Sequence, residues 1–336
     1  MEASADRIDS GAIPCVDLGD RPEVCAAGAG TALRELGAFR LTGHGIVPQA
    51  IADAYEATDR LRRLDDAVKR EVAVGTVTAA RGWHRGETAG HGSYETFELG
   101  RGGEPGDPAT PRGVLDGPNL WPALPGFREL VEPCFDAALT LAHRLAELFE
   151  QALGLPEAYL TGRATDPYCL LRLLHYPEST RESTPGLAAH TDVELFTLLL
   201  SDSPGLEICK RDGTWLAAPA GGTEDLIVLA GDLLEIVAGG EVESPLHRVV
   251  GDGGRRSLGF FMGLDAEAVI SPQRPVTEAR RHLYASTVVG QQLAEQYLHY
   301  FPHLRRRHEA GEVMPELVVP GENRYERYKL ERLERR

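Results

Sequence analysis

Between Tyr168 and Leu264 the chain contains YCLLRLLHY (168–176), ELFTLLL (194–200), LEICK (206–210), TWLAAP (214–219), DLIVLA (225–230), DLLEIVA (232–238), LHRVV (246–250) and SLGFFMGL (257–264). Each is a short apolar run, and Ser203-Pro204-Gly205, Asp212-Gly213 and Gly231-Asp232 punctuate them. Segments of this length and spacing predict the strands of a barrel or jelly roll, in which turning chains bury their apolar faces by closing sheets on one another.

The flanking regions follow a different period. Helical spacing of apolar residues predicts helices over about 21–36 and 48–72, with a short strand in AFRLTGHGI (38–46) between them. A third amphipathic helix is expected over 126–153, closed by Gly154 and Pro156. The Gly- and Pro-rich stretch 82–122 reads as a long loop. Helical patterns return after residue 270 and end in an Arg- and Glu-rich tail that reads as a solvated helix. The expectation is one unit over 1–336, mainly β with flanking α. It comprises a mainly helical part (1–160), a strand-rich core (165–270), and C-terminal helices with a charged tail (271–336).

Composition narrows the function. Acidic residues outnumber basic ones by 51 to 35, for a net charge of −16. Such a surface repels a phosphate backbone and argues against a nucleic-acid partner. It reads first as solubility and second as an attraction for a cationic substrate. No apolar stretch approaches the roughly 20 residues of a membrane span, and the polar opening MEASADRIDSG lacks the pattern of a signal peptide. A soluble, cytoplasmic protein without membrane contact is therefore expected. The five scattered cysteines contain no CxxC pair, which argues against a disulfide framework or a zinc knuckle.

The chemistry lies in AAHTDVELF (188–196). On an extended segment His190 and Asp192 project to one face. His247 in SPLHRVV (244–250) offers a third ligand. Two histidines and a carboxylate on one side of a metal form the facial triad of non-haem Fe(II) oxygenases, which leaves positions open for oxidant and co-substrate. An H-x-D pair with a distant histidine is also a common accident, so these three residues do not settle the matter alone. In RRSLGFF (255–261), Arg255 and Ser257 share the next strand's face and present a guanidinium fork beside a hydroxyl, a set suited to a carboxylate. Arg256 points the other way and reads as a surface charge. If Tyr176 points inward, Leu174, Arg172 and Tyr168 do too. Tyr176 then either donates to the same carboxylate or closes the strand at the surface. Arg172 either anchors substrate or pairs with a structural acid.

The ordered set IPCVDL (13–18), GAFRLTGHGI (37–46), SYETFELG (93–100), NLWPALPGFR (119–128), LLRLLHYP (170–177), LAAHTDVELFTLL (187–199), GDLLEIVAGG (231–240), SPLHRVV and RRSLGFF resembles the isopenicillin N synthase-like branch of Fe(II)/2-oxoglutarate-dependent oxygenases. The resemblance implies a double-stranded β-helix (jelly roll) core with N-terminal and C-terminal helices packed outside. It implies Fe(II) on His190, Asp192 and His247, and the distal carboxylate of 2-oxoglutarate on Arg255 and Ser257 with Tyr176 nearby. It also implies O2 as oxidant, with succinate and CO2 released as a small-molecule substrate is hydroxylated, desaturated or cyclised, as in natural-product or amino-acid tailoring. The same family logic nominates Trp83, His84, Tyr94, Phe97, Arg172, Leu174, Phe196 and Phe261 as substrate-contacting.

The chain departs from the family pattern at Leu174 (often Asn), Gly259 (often Pro) and Tyr94 (often Lys). Three other readings stay open at this point. One is an isopenicillin N synthase-like oxidase that does not use 2-oxoglutarate. Another is a metal-binding barrel without turnover. The third is a zinc hydrolase, for which Glu194 is the nearby candidate base.

Overall fold

Strand alternation sorts this chain into an inward and an outward face, and the sheets are built around that sorting. The computed structural model describes residues 8–9, 13–76, 80–87, 93–101, 115, 117–178, 185–251, 254–311 and 323–335. Its strands are β1 (Ile8–Asp9), β2 (Cys15–Asp17), β3 (Ala38–Thr42), β4 (Gly82–Glu87), β5 (Ser93–Gly100), β6 (Cys169–Tyr176), β7 (Pro185–His190), β8 (Phe196–Ser201), β9 (Leu206–Cys209), β10 (Trp215–Ala217), β11 (Leu226–Ala230), β12 (His247–Val250), β13 (Arg255–Met262), β14 (Val269–Ile270) and β15 (Thr287–Val288). Its helices are α1 (Pro22–Glu35), α2 (Pro48–Arg62), α3 (Asp66–Glu71), α4 (Phe127–Leu153), α5 (Asp232–Val237), α6 (Val289–Tyr300), α7 (Pro302–Glu309) and α8 (Arg324–Glu334). One sheet has the order β2-β3-β11-β8-β13-β6-β5-β4 and the other β1-β10-β9-β12-β7. Together they form the expected jelly roll, with helices outside it. Among the described residues, no helix is long and apolar enough to cross a membrane.

The outward face of the large sheet packs on α4. Phe196 of β8 meets Phe149 at 5.1 Å between ring centroids, Phe260 of β13 meets Phe135 at 5.5 Å, and Phe97 of β5 meets Phe127 at 5.1 Å. All three contacts are edge-to-face, the arrangement aromatic quadrupoles favour. Gly126 and Gly154 bound α4 in left-handed conformations, which glycine adopts without steric cost. The inward positions of the same strands are polar or mixed. In register they align Thr96, Leu174 and Ser257 in one row and Glu98, Arg172 and Gly259 in the next.

Several elements differ from the sequence expectation. Part of the stretch read as a loop forms β4 and β5, which pair with each other and extend the large sheet beyond β6; the run 102–114 lies outside the described residues. DLLEIVA is the buried helix α5, not a strand. Its apolar run, broken only by Glu235, is too short for periodicity to separate the two, and Asp232 and Glu235 sit in its first turn, where the helix dipole favours acids. Gly231 allows the entry to that helix, because a Cβ there would lie 2.0 Å from the Glu194 carbonyl oxygen. The single helix expected over 48–72 is two, α2 and α3, joined through Arg63–Asp65. Lys69, 2% exposed, reaches back across the break to the Arg62 carbonyl and Glu95. The charged tail is helical as expected but docked, with Tyr325 and Lys329 buried and Lys329 ion-paired to Glu235 at 2.6 Å.

Phe196→Ala should therefore cost about 3–5 kcal/mol of stability, as a cavity against α4 does, read from denaturant unfolding. A cost below about 1 kcal/mol would contradict this packing.

Candidate metal centre and adjoining cavity

β7 and β12 pair antiparallel with His247 directly opposite His190, and the two rings lie 4.2 Å apart between centroids. His190 ends its strand, so Asp192 lies in the connection between β7 and β8. That connection brings the three together: a ligand atom of each lies within 4.8 Å of the other two. Asp192 Oδ1 is 3.8 Å from His190 Nε2 and 3.6 Å from His247 Nε2.

The surroundings prepare these atoms. His190 Nδ1 donates to the Ala188 carbonyl at 2.8 Å, and His247 Nδ1 donates to that of Pro245 at 3.2 Å. Each bond fixes the proton on Nδ1 and leaves the Nε2 lone pair facing Asp192, the usual arrangement behind a metal-binding histidine. Burial, then the neighbouring His247, holds the His190 imidazole well below its ordinary pKa, so it is neutral at pH 7. Thr197 Oγ1 donates to Asp192 Oδ2, which leaves Oδ1 for the centre. The Asp232 backbone N–H donates to the Asp192 carbonyl at 2.8 Å. The donor set, two imidazoles and a carboxylate converging from one side, fits Fe(II).

Arg255 is 3% exposed and stacks over the Tyr176 ring at 5.3 Å. Its Nη1 donates to Ser257 Oγ at 3.1 Å and its Nε to the Ser203 carbonyl at 3.3 Å, while Nη2 is buried without a partner. A guanidinium N–H orphaned in the interior is costly, and a carboxylate accepting from it and from Ser257 would satisfy it.

Beside the metal site lies a cavity of about 330 Å³. Four of the nominated substrate residues line it: His84, Tyr94, Arg172 and Phe261. Leu174 is next to it, packed with Tyr176 and Val249. Trp83, Phe97 and Phe196 do not line it. All three occupy the outward parity of their strands: Phe97 and Phe196 pack against α4, and Trp83 lies under Lys69 and Arg85. Sequence reading missed Thr96 and Glu98, and also Tyr297, Tyr300, Phe301 and Glu326 from the C-terminal helices and their junction. Alternation in SYETFELG was a usable signal for the first two, since Tyr94, Thr96 and Glu98 fall on one face. Nothing local in sequence announces the other four.

Comparison with known proteins agrees with this geometry. Residues 167–264 match the family model of the 2OG-Fe(II) oxygenase superfamily, and residues 13–124 match that of the non-haem dioxygenase N-terminal region. The chain is 33% identical over 258 residues to the 2-oxoglutarate-dependent dioxygenase caaD of Aspergillus niger, covering 72% of this chain and 78% of that one. It is 28% identical over 295 residues to a homoarginine-6-hydroxylase of Arabidopsis thaliana, covering 81% and 80% respectively. Among solved structures, a full-length Neurospora crassa protein in complex with alpha-KG superposes with a TM-score of 0.73 at 25% identity, covering 85% of this chain and 95% of that one. The chain belongs to the isopenicillin N synthase-like 2OG-Fe(II) oxygenases. It is an Fe(II)- and 2-oxoglutarate-dependent dioxygenase that acts on a small molecule.

Asp232, fully buried behind the metal loop, carries a testable pH signature. Burial pushes its carboxyl up to about 7, with Lys329 and Asn323 opposing and Glu235 adding to the rise. The folded state then holds a proton that the unfolded chain has lost above its ordinary carboxylate range, so stability falls as pH rises through that window towards 7. Asp232→Asn should flatten this part of the stability profile, measured by urea unfolding between about pH 4.5 and 7.5. An unchanged slope would mean that Asp232 is ionised in the fold.

Proposed function

We propose that His190, Asp192 and His247 hold the iron and that Arg255, Ser257 and Tyr176 bind the distal carboxylate of 2-oxoglutarate. The substrate is a small organic molecule, hydroxylated, desaturated or cyclised in the cavity lined by His84, Tyr94, Arg172 and Phe261. The observation that carries this reading is the orphaned Arg255 Nη2, a buried cationic donor on the same barrel as three converging metal ligands. When bound, iron with 2-oxoglutarate and O2 supplies the oxidising equivalent for attack on a substrate C–H bond.

The chain's own residues do the rest. The two Nδ1–H bonds orient both imidazoles with Nε2 towards Asp192. Thr197 holds Asp192 to one free oxygen. Tyr94, Phe301 and Phe261 limit water at the cavity and position the substrate's skeleton. A net charge of −16 supports a small molecule over a nucleic acid as substrate. The five cysteines stay outside any disulfide, which suits a reducing, cytoplasmic setting. Glu194, the acid a zinc hydrolase would need, is tied to the Tyr297 hydroxyl at 3.1 Å.

Protein reconstituted anaerobically with Fe(II) should release succinate from 2-oxoglutarate on admission of O2. Arg255→Ala should weaken 2-oxoglutarate binding about 100-fold, since losing a buried charge partner costs about 2–5 kcal/mol, and His190→Ala should fail to retain iron. Wild-type affinity for 2-oxoglutarate in the Arg255 variant would refute the carboxylate assignment.

A further inference from the structure

The cavity wall holds an acid with no structural need for both of its oxygens. Glu98 is 2% exposed. Its Oε1 accepts from Arg172 Nε at 2.8 Å, while its Oε2 is buried and has no partner. Two residues earlier on the same inward face, Thr96 Oγ1 is likewise buried and unpartnered. Both residues line the cavity. A purely structural role for Glu98, as counter-ion to Arg172, accounts for one oxygen and leaves the other carrying a desolvation penalty. Two adjacent orphaned groups on residues that line one cavity point to donors that arrive with a ligand.

The charge around the cavity indicates which donors. Among the described residues its lining includes the carboxyl groups of Glu98, Asp192 and Glu326 against the guanidinium of Arg172, while burial pushes the Glu194 carboxyl up to about 7 and takes it out of the count. Burial holds the His84 imidazole below its ordinary range, so it adds no positive charge at pH 7. In the loaded site Fe(II) and Arg255 balance Asp192 and a dicarboxylate co-substrate, which leaves Glu98 and Glu326 against Arg172. Aromatic rings complete the lining: Tyr94 and Phe301 pack around His84, at 6.4 and 6.0 Å between ring centroids, and Tyr297 stacks on Phe301 at 5.6 Å. Carboxylates set among aromatic faces favour an organic cation by both hydrogen bonding and cation–π attraction. Arg172, stacked over Phe261 at 4.8 Å, keeps its remaining guanidinium donors on the same wall.

We infer that Glu98 and Thr96 select a substrate bearing a cationic side-chain nitrogen, an amine or a guanidinium, and that Arg172 beside them takes a carboxylate of the same molecule. The substrate class is thus a small basic amino acid or a close relative. This deepens the oxygenase reading above and rests on it.

The test uses whole protein loaded with Fe(II) under anaerobic conditions, and calorimetry of three probes: 2-oxoglutarate, then L-arginine and L-citrulline, its isostere with a neutral side chain, in the presence of 2-oxoglutarate. L-arginine should bind about tenfold or more tightly than L-citrulline, as a charge-assisted bond to a buried carboxylate predicts. Glu98→Gln should bring that ratio close to one, with its melting temperature near wild type as the check on folding. Wild-type protein that binds both probes equally, or neither, overturns the inference whatever the variant does. A folded Glu98→Gln protein that keeps the full preference overturns the role of Glu98. If 2-oxoglutarate itself does not bind the Fe(II) protein, it is the oxygenase site assignment that falls. If it binds and arginine is not preferred, the substrate inference alone falls.

Discussion

The register between β7 and β12 is the constraint on which the site depends. It sets His247 opposite His190, so two residues from distant parts of the chain become neighbours through backbone pairing before any metal is considered. A slip of one residue would send both rings to opposite faces. The supporting bonds exploit that placement. Each histidine donates Nδ1–H to a carbonyl two residues earlier in its own segment, so orientation is local and robust. Asp192 leaves the strand to face both rings and is held by Thr197 of β8 and by the Asp232 amide of α5. Asn323 links the C-terminal helix to the same cluster. Its side-chain oxygen caps α8 at Tyr325 and Glu326, while its amide donates to Asp232 and Thr191. One side chain thereby ties the start of α8 to the residue between two of the metal ligands.

How much of this was legible in the sequence follows from the range of the forces involved. The triad, the Arg255–Ser257 pair and seven of the eight apolar runs were legible, because their chemistry or periodicity is contained in a few residues. DLLEIVA was not, since a buried helix of one and a half turns has the same apolar content as a buried strand. Trp83, Phe97 and Phe196 were misplaced for a more specific reason. Large aromatics suit either the packed or the cavity face of a sheet, and only the position of α4 decides which face is which. Glu98 and Thr96 carried the opposite signal: polar residues alternating with Phe97 and Leu99 mark the cavity face directly. Tyr297, Tyr300, Phe301 and Glu326 belong to elements more than a hundred residues beyond the metal turn, and only tertiary packing brings them to the cavity.

The chain departs from its family's pattern in a way that follows the same two-faced logic. Leu174, Gly259 and Tyr94 all fall on inward positions. Leu174 pairs in register with Thr96 on one side and Ser257 on the other, and Gly259 pairs with Arg172. A Cβ at residue 259 would press on the Phe261 ring at 3.2 Å, so glycine there lets that ring fold back under the Arg172 guanidinium. A Cβ at Gly86 would lie 2.1 Å from the Tyr94 ring, so that glycine leaves room for the tyrosine to turn across β4 towards the cavity. The outward neighbours of these residues, Phe97, Leu173, Leu258 and Phe260, are buried in the main hydrophobic core, where volume and shape are constrained by α4. Because adjacent residues of one strand serve opposite faces, the cavity can change its chemistry while the packing that holds the barrel closed stays intact. The cavity is therefore lined by alternate residues of β4, β5, β6 and β13, while the candidate metal ligands sit at the strand ends that the register of β7 and β12 keeps fixed.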